Sequence, residues 1–88
     1  MEISFDPVKR DVTRRTRGLD FADAGRIFEG RTLTVIDDRQ DYGEVRYVTY
    51  GWIETTAVAL VWTPREDAIR VISMRRMHQR EIVHVGLD

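Results

Sequence analysis

At residue 32 the hydrophobic rhythm of the chain changes, and that change limits the fold more than any other feature. Before it, apolar residues recur at helical spacing; after it, they follow a period of two. Thr32–Ile36 alternates, Val45–Tyr50 is rich in β-branched and aromatic residues, Thr56–Thr63 is nearly all apolar, and Ala68–Met74 alternates again. The segments Asp37–Gly43, Gly51–Thr55 and Pro64–Asp67 join these four strands and are short enough that neighbours pair antiparallel. A meander follows. The run Ala57–Trp62 is apolar on both parities, which marks a central strand covered on both faces.

The N-terminal third supplies one cover. Ile3–Phe5 reads as a brief entry strand, and Asp6-Pro7 offers an N-cap followed by the residue best suited to a first helical position. The helix runs to Arg17 and stops at Gly18. Its apolar stripe is narrow, Val8 and Val12, which leaves Lys9, Arg10, Arg14, Arg15 and Arg17 to solvent or a partner. A second helix opens at Leu19-Asp20, carries Phe21, Ala24, Ile27 and Phe28 at core spacing and ends at Gly30. His78–Val85, a short C-terminal helix, is the expected cover of the opposite face. If Thr63 and Ala68 flank the last turn, Ser73 faces Val58 and Arg75 faces Thr56, on the surface that carries Trp62 and Leu60. The Arg-rich ends of the sheet then lie about 20 Å apart.

At 88 residues the chain is a single domain, residues 1–88, with too small a core to leave much margin, so a standing partner is expected. Absence of cysteine removes disulfides, Cys-type zinc sites and thiol nucleophiles. The opening residues lack the pattern of a secretory leader, so a reducing cytoplasm is the expected location. The longest apolar run is far below the ~18 residues of a membrane span. Net charge is -1, yet 13 of the 14 basic residues are Arg and only Lys9 is Lys. Arg presents a planar fork suited to phosphate, although GC-rich codon usage gives the same bias.

His78 and His84, with Glu81 between them, fit no metal-ligand spacing, and no nucleophile-elbow, Walker or dinucleotide motif is present. No cofactor is expected. What remains is arginine on and beside a sheet: Arg39, Arg46, Arg65, Arg70, Arg75 and Arg76, near Tyr42, Glu44, His78 and Glu81. Such a set can cleave RNA without a metal, because RNA carries its own nucleophile in the 2′-hydroxyl. The plainer alternative is a solvated turn over Asp37–Glu44 and a basic pair, Arg75-Arg76, entering a helix.

Four segments in order then carry a resemblance. They are Phe5-Asp6-Pro7-x-Lys9; Gly18-Leu19-Asp20-Phe21-Ala22-Asp23-Ala24; Asp37-Asp38-Arg39-x-Asp41-Tyr42-Gly43-Glu44-x-Arg46; and Arg70-Val71-Ile72-Ser73-Met74-Arg75-Arg76. Together they resemble the BrnT family of bacterial type II toxins. The resemblance implies an α+β, RelE-like fold: two N-terminal helices packed on a four-stranded antiparallel meander, with a short C-terminal helix. It implies a ribonuclease that inhibits translation, and a BrnA-like ribbon-helix-helix antitoxin through which operator DNA is reached. The recurring positions fall on Lys9, Gly18, Arg46, Ser73, Arg75 and Glu81, with Asp38, Arg39, Tyr42, Gly43 and Glu44 in the loop. Arg46 and Arg75 are the expected grip on the scissile phosphate, and Glu81 either accepts a proton or fixes Arg75. Arg39, Arg65 and Arg76 are expected phosphate contacts, and Lys9, Arg10 and Arg14 lead RNA inward.

The chain departs from the family pattern. Where the family commonly reads Asn-x-x-Lys-His-Gly, this sequence has Thr13, Thr16, Arg17 and Gly18, so a guanidinium stands in place of an imidazole and cannot serve as a base near neutral pH. Met77 replaces a small residue, and Val85 stands near the place of a late tyrosine. Two alternatives stay open: a catalytically degenerate member that binds the antitoxin as a corepressor, and an unrelated small interaction domain.

Overall fold

A computed structural model describes residues 1–88. The chain runs β1 (Glu2–Ser4), α1 (Pro7–Arg17), a 3-10 turn (Phe21–Asp23), α2 (Ala24–Ile27), β2 (Leu33–Ile36), β3 (Tyr47–Ile53), β4 (Thr56–Arg65), β5 (Ala68–Arg76) and α3 (Gln79–Val85). No helix is long and apolar enough to cross a membrane.

The antiparallel meander of β2 to β5 forms as expected, but the sheet has five strands, in the order β1-β5-β4-β3-β2. β1 adds to the β5 edge in parallel, Glu2–Ser4 against Ala68–Arg70. Three residues carry too little pattern to announce a partner, so the four-stranded expectation is corrected to a mixed sheet. The second helix is likewise divided, a 3-10 turn capped by Asp20 followed by a single α turn.

Helix α1 starts where Asp6 accepts a hydrogen bond from the Val8 amide and ends at Gly18, whose φ of 69° is left-handed. It is not seated through its valines, since Val8 and Val12 are 69% and 43% exposed. Its inward side is polar: Arg10 donates to both oxygens of Asp20 at 2.7 and 2.9 Å and stands 5.4 Å from the Phe5 ring centre. Arg10, expected to lead RNA, therefore ties α1 to the following turn.

Two apolar clusters hold the sheet. Phe21, Ala24 and Ile27 pack on Val58, Leu60 and Met74 on one face. On the other, Ile82 and Leu87 cover Ala57 and Ala59, with Met77 beside them. Gly51 makes the first contact possible: a Cβ there would lie 2.7 Å from the Ile27 Cγ2.

The register of β4 on β5 differs from expectation. The turn is only Glu66-Asp67, with Glu66 at φ 48°, so pairing starts at Arg65 with Ala68. A bulge then follows, with Trp62 opposite Val71 but Val61 opposite Ser73, which leaves Ile72 as the extra residue. Because strand alternation has a period of two, one extra residue exchanges the faces. Ile69 and Val71 point into the helix-side core, and after the bulge so does Met74. Ser73 and Arg75 are thereby turned to the opposite face, Arg75 opposite Ala59 rather than Thr56.

Candidate functional site

That face holds a cleft of about 470 Å³. Its floor is small and apolar where Val48 and Val61 lie beside Ser73, and where Ala59 separates Tyr50 from Arg75. The rim is charged, made by Asp37, Asp38 and Arg39 after β2, by Arg17 at the end of α1, and by Arg75. Arg39 and Arg75, expected at separate ends of the sheet, thus face one space.

Each of those two guanidiniums is gripped by a carboxylate. The Arg75 Nη1 and Nη2 atoms donate to the Glu81 Oε1 and Oε2 atoms, both at 2.8 Å. The His78 amide donates to Glu81 at 3.4 Å, and the His78 side chain caps the Glu81 amide in return, closing a capping box at the start of α3. Hydrogen bonding from Arg75 holds the Glu81 carboxyl below its ordinary range. Arg39 donates to Asp37 through Nε at 2.7 Å and Nη2 at 2.8 Å, and the Tyr42 hydroxyl adds a bond at 3.3 Å. The Asp37 side chain is 1% exposed. Arg39 foremost draws the Asp37 carboxyl down to about 2 despite the opposing effect of burial.

Arg46 belongs to a second cluster. It lies 4.1 Å from the Tyr42 ring centre and 3.3 Å from Glu44, which also accepts from Arg65 at 3.1 Å. Arg65 first, then Arg46, keeps the Glu44 carboxyl low. Arg46 is four residues before Tyr50, about 13 Å along an extended strand, so Arg46 and Arg75 sit in different clusters. Tyr42 links Arg46 to the Arg39–Asp37 pair, stacked under Arg46 and bonded to Asp37. Arg76 turns toward α1 and donates from Nε to the Arg17 carbonyl at 3.3 Å. Lys9 and Arg14 are exposed on α1.

Sequence reasoning left Asp37, Tyr50 and Arg17 outside its site residues. Tyr50 shares parity with Val48 on β3, a signal that could have placed it. Arg17 stands where the resembled family has an imidazole, which was its signal, but its reach to β5 depends on how α1 crosses that strand.

The fold and cleft define a small α+β protein with an arginine-lined cleft on one face of its sheet. The family model for "Ribonuclease toxin, BrnT, of type II toxin-antitoxin system" matches residues 5–81, and the chain belongs to that family. A search of the curated proteins returned no match. Membership in a type II system implies an antitoxin partner. The matched span contains every cleft residue named above.

Proposed function

We propose that this protein is an endoribonuclease toxin that cleaves RNA without a metal in the cleft and so inhibits translation. The observation that carries the reading is the pair of carboxylate-anchored guanidiniums, Arg39 and Arg75, aimed into one space. Each keeps N–H groups beyond those used by its carboxylate, and these hold the scissile phosphate. The floor beside them takes the nucleoside.

The 2′-oxygen bonds to phosphorus as the bond from phosphorus to the 5′-oxygen breaks. The 2′-proton passes to Asp38, the rim carboxylate that forms no ion pair, the 5′-oxygen leaves with a proton from water, and the hydroxide so formed takes the proton back from Asp38. Charge accumulating on the phosphorane is met by the guanidiniums, which are already in place and cost no reorganisation. Glu81 is a positioning residue, holding Arg75 rather than moving a proton. Arg46, Arg65 and Arg76 contact flanking phosphates, and Lys9 and Arg14 add attraction at longer range.

A BrnA-like ribbon-helix-helix antitoxin neutralises the toxin by laying acidic and apolar groups over the cleft, and operator DNA is met only through it. A second reading, a docking-only corepressor, is favoured by one observation: the residues lining the cleft include no imidazole. Incubating the purified chain with RNA in EDTA distinguishes the two. Products ending in 2′,3′-cyclic phosphate, and no cut at a 2′-deoxy position, support the ribonuclease. RNA left intact supports the corepressor.

A further inference from the structure

Arg17 differs from the other guanidiniums of the cleft. Arg39 and Arg75 each give two hydrogen bonds to a carboxylate, whereas Arg17 gives its one bond to a neutral acceptor, the Met74 carbonyl, at 2.8 Å. That carbonyl is available because β1 pairs only with Ala68–Arg70 and leaves the later part of the β5 edge open. The backbone beneath Arg17 is fixed as well: its own carbonyl accepts from Arg76, and Gly18 follows in the left-handed conformation. The result is a cation held in place, lining the cleft, with no carboxylate paired to it.

We infer that Arg17 is a further phosphate-binding residue of the cleft, the one whose guanidinium is shared with no internal carboxylate. The inference rests on the ribonuclease reading and adds a third guanidinium to the two that hold the scissile phosphate. A phosphate reaching Arg39 or Arg75 must share the guanidinium with Asp37 or Glu81. One reaching Arg17 finds Nε and Nη2 unengaged. Charge-assisted bonds of this kind are the strong ones, and a guanidinium keeps its charge throughout the neutral range.

Counterion release provides the test. Binding of a non-cleavable 2′-O-methyl oligonucleotide is measured across a salt series for wild type, Arg17→Gln, Arg17→Lys and, as control, Arg15→Ala on the outer side of α1. Gln keeps a polar side chain and removes the charge. The expected result is a slope of log affinity on log salt that falls by about 0.7 for Arg17→Gln, the value of one phosphate contact on a single strand. Affinity falls about tenfold with it, a loss in the range of one charge-assisted hydrogen bond. Arg17→Lys restores the slope, and Arg15→Ala matches wild type.

An unchanged slope in a folded Arg17→Gln protein overturns the inference and leaves the ribonuclease reading standing. Wild-type protein that binds no oligonucleotide overturns both. Should Arg17→Gln not fold, the wild-type Arg17 Nε–H resonance decides: it shifts on oligonucleotide addition, or the inference is wrong.

Discussion

Asp37 and Glu81 act alike from two sides of the cleft, each gripping a guanidinium through both oxygens and each held in the ionised form by it. For Asp37 the consequence extends to stability. Its carboxyl is lowered from 3.8 to about 2, so it contributes stability above the ordinary carboxylate range, and that contribution disappears as pH falls through about 2. Asp37→Asn is expected to cost about 1–3 kcal/mol at neutral pH, the usual range for a buried hydrogen bond to a charged group. The gap between wild type and variant in denaturant melts narrows on acidification; a gap independent of pH contradicts the assignment. For Arg75→Ala a drop in kcat of about 10²–10³ is expected, as for removal of a donor aimed at transition-state charge. Glu81→Gln keeps a neutral acceptor for Arg75 and loses less. Equal losses in single-turnover assays would make Glu81 more than a positioning residue.

Among the elements, most of what could be read in the sequence depended on local chemistry. Asp6 before Pro7 and Gly18 after Arg17 bound α1, and the alternation after residue 32 supplied the meander because each strand announces its own faces. Features set by contacts distant in sequence were not legible. The bulge at Ile72 leaves no mark in the alternation of Ala68–Met74, yet it decides that Arg75 faces the cleft. Val8 and Val12 suggested a packing stripe, but the pairing of Arg10 with Asp20 turns them outward. Arg75 and Glu81 were legible as residues, while their bidentate contact depends on where α3 docks. Gly51 permits a similar test of packing. Gly51→Ala is expected to cost about 1–3 kcal/mol through overpacking against Ile27. A melt equal to wild type would show that α2 can move aside.

For the whole molecule, one stretch of exposed apolar surface lies beside the cleft. Leu33, Val35 and Ile36 on the edge strand β2 are 40%, 42% and 63% exposed, and Val35 and Ile36 also line the cleft. An edge without charge or proline is poorly protected against pairing, and a core this small gains from a cover. Antitoxin bound across β2 and the cleft is therefore expected to raise the melting temperature and to exclude oligonucleotide. A stable ternary complex of toxin, antitoxin and oligonucleotide would place the antitoxin elsewhere. The central claim, that Arg39 and Arg75 act together on an RNA phosphate, is tested most directly by RNA cleavage in EDTA by wild type and the Arg39→Ala/Arg75→Ala double variant. The account predicts cyclic-phosphate products from the wild type and none above background from a folded double variant, whereas equal cleavage by both would contradict it.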